Sequence, residues 1–139
     1  MPQARNEVEL AIRLGNEPGE LGRALSVVAA ESINLLAYCS YTERDDTVVL
    51  LVTDNALQSK RALEAAGFSC RANSVVVVGA TDQVGGAAML GARLGYAGIN
   101  ILYSYASLAG STQFYAVFKT SDDQRAIALL DSSVSVRAA

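Results

Sequence analysis

The chain has 139 residues, of which 51% are hydrophobic and 18% charged, and its formal net charge is −3. Such a composition supports a buried core, whereas an acidic chain without a Lys/Arg cluster is a poor partner for nucleic acid. It contains no histidine and only two cysteines, Cys39 and Cys70, far from Cys-x-x-Cys spacing, so we expect no metal site and no cofactor.

The chain begins with a strand, a turn and a helix. Residues 8–14 alternate strictly between apolar and polar or small side chains, which predicts a strand with one buried face. Residues 15–19 include glycine, asparagine and proline, which are typical of turns. The next apolar side chains recur at helical spacing: Leu21, Ala24, Leu25, Val28 and Ala29.

A hairpin, a second helix and a short strand complete the first half. Residues 33–41 predict a second strand that places four side chains on one side, namely Ile33, Leu35, Ala37 and Cys39. Residues 47–53 are apolar on both faces and predict a central strand. Asp54 or Asn55 can cap the second helix, Gly67 ends it, and residues 68–72 form a short fourth strand. The order is β-α-β-β-α-β, a split βαβ arrangement.

The second half repeats this order. A shift of 66 residues superposes Gly19 on Gly85 and Ile33 on Ile99, and residues 74–79 align with the first strand. We therefore predict a tandem duplication with domains at residues 1–72 and 73–139. Each half is marginal alone because so short a chain buries little surface, so we expect the two halves to associate.

The turn before the first helix carries a resemblance to a known family. The segment Asn16-Glu17-Pro18-Gly19-Glu20-Leu21, followed by Ser32-Ile33-Asn34-Leu35, resembles the ACT domain family. The resemblance implies an α+β fold of tandem ferredoxin-like βαββαβ domains, with antiparallel sheets and helices on one face. It also implies a non-catalytic regulatory module, often a homodimer, that binds an amino acid at an interface between paired domains.

Ligand contacts in the first copy are expected at residues 16–21 and, from a paired domain, at Asn34 and Leu35. A tight turn that enters a helix leaves backbone N–H groups for a ligand carboxylate, and the Asn16 amide oxygen can accept from an ammonium group. In the alternative interpretation, Asn16 only closes the turn and Asn34 only caps the junction between helix and strand.

The second copy departs from the pattern. Asp82 replaces the asparagine and the proline is missing, whereas Gly85 and Gly86 keep an open backbone, and Asn100 and Ile101 repeat the start of the second strand. A carboxylate at this turn repels a ligand carboxylate but attracts an ammonium group. This turn binds another part of a ligand, binds nothing, or serves only for the pairing of domains. The sequence leaves the three possibilities open.

Other functions receive less support. An enzyme is disfavoured because no histidine, Gly-x-Ser-x-Gly elbow or phosphate-binding loop is present. An RNA-binding domain of the same topology would need an aromatic-and-basic strand motif. We expect a cytoplasmic protein without a membrane partner, because no apolar stretch approaches the roughly 20 residues that span a bilayer and the first residues lack the apolar core of a signal peptide. A ligand-free interaction or scaffold protein of the same fold stays open as the alternative.

Overall fold

The computed structural model describes residues 2–108 and 112–131. Its elements in chain order are β1 (Gln3–Gly15), α1 (Glu20–Ala30), β2 (Leu35–Glu43), β3 (Asp46–Thr53), α2 (Ala56–Ala65), β4 (Cys70–Thr81), α3 (Gly86–Tyr96), β5 (Ile101–Leu108), β6 (Gln113–Thr120) and α4 (Asp123–Leu130). The described residues divide into two compact units, a first unit at Val8–Asn73 and a second unit at residues 2–7 with 74–131.

The first unit is a β-sheet with two helices on one face. Its strands follow the order β2-β3-β1-β4, and β3 is antiparallel to both β1 and β2. Alternate residues of β1 and β3 meet the inner faces of α1 and α2 in a single cluster, as expected for a strand with one apolar face. The buried members of this cluster are Leu10, Ile12, Leu14, Ala24, Val28, Ile33, Val49, Leu51, Leu63 and Phe68.

The second unit has the same architecture, and the start of the chain supplies its fourth strand. Its order is β1-β4-β6-β5, with β6 antiparallel to β4 and β5, and residues 3–7 are the part of β1 that belongs to this unit. Ala4 is buried in the core of this unit, and the Asn6 side-chain amide donates to Ser74 Oγ at 2.7 Å and to the Val75 carbonyl at 3.2 Å. The other buried members of this core are Val76, Val78, Leu90, Leu94, Ile99, Phe114, Ala116, Phe118, Ala126 and Leu130.

The duplication is visible in matching local geometry. The Asn34 carbonyl accepts from the Asp54 N–H at 3.1 Å, and the Asn100 carbonyl accepts from the Ser121 N–H at 2.9 Å. Both connections have the same pattern of donors and acceptors at positions related by the sequence repeat. The predicted fold class, tandem βαββαβ domains with the helices on one face, is confirmed.

Two details of the strands differ from the sequence prediction. The short strand expected at residues 68–72 and the strand expected at residues 74–79 form one continuous strand, β4. The expectation that Ile33, Leu35, Ala37 and Cys39 share one side is wrong, because the register shifts by one residue between Leu35 and Ala37. Such a β-bulge reverses the faces of all later residues. The same shift recurs between Ile101 and Tyr103, so the bulge belongs to the repeat.

The domain limits at 1–72 and 73–139 stay a prediction. No helix among the described residues is both long and apolar enough to cross a membrane.

Candidate functional site

The first predicted turn lies at one end of the first unit's sheet. Gly15, the last residue of β1, is opposite Asp46 at the start of β3, so the turn lies next to the β2–β3 hairpin. Asn16, Glu17 and Pro18 are exposed, and the turn is closed by the Glu17 N–H, which donates to the Gly15 carbonyl at 2.9 Å. The Asn16 side chain is therefore presented to solvent beside the start of α1.

The four helices begin in two different ways. α1 and α3 start at Gly19 and Gly85, which have φ values of 90° and 82°, and no side chain caps either helix. In contrast, the side chains of Asn55 and Asp122 accept from the backbone N–H groups of Gln58 and Arg125 and so cap α2 and α4. The first turns of α1 and α3 therefore keep N–H donors and a positive dipole end that no capping side chain uses.

The charges beside the first turn are largely paired. The Glu20 carboxylate accepts from Arg23 Nε at 3.3 Å and from Arg23 Nη2 at 3.4 Å, and the Arg23 guanidinium lies 4.2 Å from the ring centroid of Phe68. A carboxylate in the first helical turn is also stabilised by the helix dipole. Glu20 thus pairs with a residue of its own helix, Arg23. Leu21 packs against the core.

The second turn borders a depression of about 440 Å³. Asp82 is exposed and anchored by its N–H, which donates to the Thr112 carbonyl at 2.7 Å. A Cβ added to Gly86 would lie 3.5 Å from the Phe114 ring, which shows how closely the helix start approaches β6. The lining brings three predicted residues together with six others: Asp82, Gly85 and Gly86 with Gln83, Ala87, Ala88, Ala106, Ser107 and Phe114.

The contribution of β5 and β6 to this depression was missed by the sequence analysis. Ala106 and Phe114 come from the hairpin that folds back beside the turn, a contact between residues distant in sequence from Asp82. The signal in the sequence was the hairpin itself, because its position within the repeat predicts that the end of β5 and the start of β6 lie near the turn.

The predicted contacts at the second strand of each copy lie at the other end of the sheet. Leu35 is opposite Thr53 and Ile101 is opposite Thr120, at the far ends of β3 and β6 from the turns. α1 has 11 residues and so spans about 16 Å between the two ends. Asn34 and Asn100 are exposed. Within one unit, therefore, the structure does not bring Asn34 to the Asn16 turn, nor Asn100 to the Asp82 turn.

Two observations concern metal and thiol chemistry in the described part of the chain. The described residues contain no group of three or more His, Cys, Asp or Glu side chains suited to hold a metal ion. Burial raises the pKa of the Cys70 thiol, and the neighbouring Glu64 carboxylate raises it further. A raised pKa leaves less thiolate, which is the nucleophilic form.

Comparison with known proteins identifies the family. A family model described as an ACT domain pair matches residues 8–134, and the chain belongs to this family. A search of curated proteins found no match.

Solved structures share the fold. Protein BT0572 from Bacteroides thetaiotaomicron is 25% identical, with a TM-score of 0.83 over 94% of this chain and 90% of that chain. The ligand-free regulatory subunit of aspartate kinase from Thermus thermophilus is 12% identical, with a TM-score of 0.69 and 93% of each chain covered. A structure of aspartokinase alpha and beta subunits is 17% identical, with a TM-score of 0.64 over 96% of this chain and 97% of that chain.

Proposed function

We propose that this protein is a non-catalytic regulatory module that binds a small ligand, an amino acid, at the turns that begin α1 and α3. The observation that carries the proposal is the contrast in helix starts: α1 and α3 begin at a left-handed glycine without a side-chain cap, whereas α2 and α4 are capped. Uncapped N–H groups at a helix start favour an anionic group such as an α-carboxylate. Membership of the ACT domain pair family and a fold shared with the regulatory subunit of aspartate kinase support the same function.

The two turns differ in the group that they favour. At the first turn, the exposed Asn16 amide offers an acceptor for an ammonium group, and Arg23 pairs with Glu20 so that this carboxylate repels a ligand less. At the second turn, Asp82 places a carboxylate on the wall of the depression. We propose that the second turn favours the ammonium group of a ligand, because a second carboxylate there would be repelled.

Completion of either site requires a second domain. Because Asn34 and Leu35 lie at the opposite end of α1 from Asn16, a ligand that touches both must be held between paired domains. We propose a homodimer whose paired domains supply Asn34 or Asn100 to the turns. Sedimentation velocity with and without ligand measures the assembly, and a ligand held in this way shifts it toward the dimer.

A thermal-shift panel of the common amino acids tests the proposed ligand class. A ligand that binds only the folded chain, at 100 times its Kd, adds about 2.7 kcal/mol of stability and raises Tm by several degrees. Asn16→Ala and Asn34→Ala should reduce the shift, whereas Gln124→Ala, which removes an exposed amide of α4, should keep it. If no amino acid raises Tm at millimolar concentration, the proposal is contradicted and the scaffold alternative is favoured.

A further inference from the structure

The helix-free face of the first unit's sheet holds a second depression, of about 420 Å³. Ile12, Val49 and Leu51 point to the helices, so the alternate residues of the same strands point to the other face. None of the lining residues belongs to the turn at residues 16–21. The lining of the depression includes the side chains of Arg13, Tyr41, Glu43, Val48 and Arg71. The volume is within the range of about 300–1,000 Å³ that small-molecule sites occupy.

Three of these residues form one row across the sheet. Arg13 is opposite Val48, and Val48 is opposite Tyr41. Side chains in such a row have Cβ atoms about 5 Å apart between neighbouring strands, so Arg13 and Tyr41 flank Val48 at about 10 Å from each other. Val48 is buried, and Tyr41 is 46% exposed. The row therefore provides an apolar floor with a guanidinium on one side and an aromatic wall on the other.

The two arginines have donor groups that the protein itself does not use. Arg13 has one carboxylate contact, Nη1 to Asp46 Oδ2 at 3.5 Å, between two exposed side chains. Within residues 2–108 and 112–131, the Arg71 side chain has no hydrogen-bond or ion-pair partner. Guanidinium groups bind carboxylate and phosphate through paired, charge-assisted hydrogen bonds. Glu43 is the one carboxylate in the lining, and Asp46 contacts Arg13 from outside it. A bound anion therefore competes with Asp46 for Arg13, whereas the Arg71 guanidinium has no carboxylate contact within the described residues.

The second unit lacks this arrangement at the equivalent positions. The shift of 66 residues places Gly79 at the position of Arg13, and Tyr115 is opposite Gly79 as Val48 is opposite Arg13. Both Gly79 and Tyr115 line a smaller depression of about 260 Å³. The Tyr115 ring lies 3.1 Å from the position that a Cβ on Gly79 would take. Arg5, the arginine of that depression, is paired with Glu7 at 2.7 Å. Among the described residues, this pair of exposed arginines beside an apolar row is thus a feature of the first unit and not of the repeat.

We propose that the depression between Arg13 and Arg71 binds a small dianion that carries carboxylate or phosphate groups. Each guanidinium binds a separate anionic group of the ligand, or the two bind different oxygens of one group. The Tyr41 hydroxyl supplies a further hydrogen-bond donor. This site is separate from the proposed amino-acid site, since it lies on the helix-free face and uses side-chain cations where the turns use backbone N–H groups.

The test is an NMR titration of the full chain with inorganic phosphate and, separately, with succinate, both at constant ionic strength. We expect saturable, millimolar binding with shifts at Ala11, Val48 and Arg71. Arg13→Gln and Arg71→Gln should each weaken binding about tenfold. Arg61→Gln, which changes an exposed arginine of α2 outside the depression, should leave the affinity within about twofold, as expected for an exposed cation remote from the ligand.

The outcomes separate the ligand sources and the two proposals. Binding of phosphate alone identifies a phosphorylated ligand, and binding of succinate alone identifies a dicarboxylate. The proposed anion site is overturned if neither anion binds saturably, or if Arg61→Gln loses as much anion affinity as Arg13→Gln and Arg71→Gln. Amino-acid thermal shifts in the Arg71→Gln chain are expected to match those of the unchanged chain, so failure of either proposal is recognised independently.

Discussion

A repeated threonine shows how single residues have diverged between the two units. In the first unit, the buried Thr53 and Ser59 hydroxyls lie 3.0 Å apart, and Ser59 also donates to the Asn55 carbonyl at 2.7 Å. In the second unit, the Thr120 hydroxyl donates to the Asp123 carboxylate at 2.6 Å. The second unit thus replaces a neutral hydrogen bond with a charge-assisted one, which is the stronger kind.

The pH dependence of stability follows from this carboxylate. Burial on its own would raise the pKa of Asp123, but the hydroxyls of Thr120 and Ser74 and the ammonium group of Lys119 hold the charged form and lower the pKa below its ordinary value of 3.8. A group whose pKa is lowered by folding contributes stability above its unfolded pKa, and this contribution is lost as the pH falls through the folded pKa. We therefore expect Asp123→Asn to destabilise the protein at neutral pH and to lose this effect in acid.

Urea unfolding of both chains between neutral pH and about pH 3 measures the difference. Asp45→Asn is the control, because Asp45 is an exposed hairpin residue without a hydrogen-bond partner in the described part of the chain. A difference between the Asp123→Asn and unchanged chains that stays constant across this pH range would show that the carboxylate does not contribute as a charge.

Among the elements, the helices and their caps were predictable from local sequence, whereas the edge strands were not. The apolar stripe of α1, the Asn55 cap and the termination near Gly67 depend on residues within a few positions of each other. The bulge at Leu36 has no such local signal, since Leu35, Leu36 and Ala37 are all apolar and fit either register. The depression at Asp82 was only half predictable because its β5–β6 wall is distant in sequence.

Two glycines at the start of α1 are expected to respond oppositely to alanine. Gly19, the N-cap, has φ of 90°, where a Cβ is strained, and Gly22 lies in the first turn of α1 with open space around its Cβ position. Gly19→Ala should destabilise the protein by about 1 kcal/mol. Gly22→Ala should stabilise it by about 0.5–1 kcal/mol, because alanine is the better helix former. Thermal unfolding of the ligand-free chains measures both changes in stability. If both substitutions changed the stability in the same direction, the left-handed conformation assigned to Gly19 would be contradicted.

For the molecule as a whole, the sequence repeat predicted two domains but not the path of the chain. In the first unit, the fourth strand is the start of β4; in the second unit, it is residues 3–7 of β1. In a linear sequence repeat each strand aligns with its counterpart in order along the chain, so the repeat does not assign the beginning of the chain to the second unit. That assignment depends on packing, through Ala4 in the core and Asn6 on Ser74.

This chain path predicts that a substitution near the N-terminus unfolds the distant half of the sequence. Ala4 is 7% exposed and lies among Val76, Phe118 and Leu130, so Ala4→Glu places an unpaired charge in that core, with an expected loss of several kcal/mol. Gln3→Glu, at the exposed neighbouring position, is the matched control and should be near neutral. Hydrogen exchange followed by NMR should show that amides of the second unit, such as Phe118, lose protection before those of the first unit, such as Leu51. If the Leu51 amide instead loses protection against exchange before the Phe118 amide, the assignment of residues 3–7 to the second unit's core is contradicted.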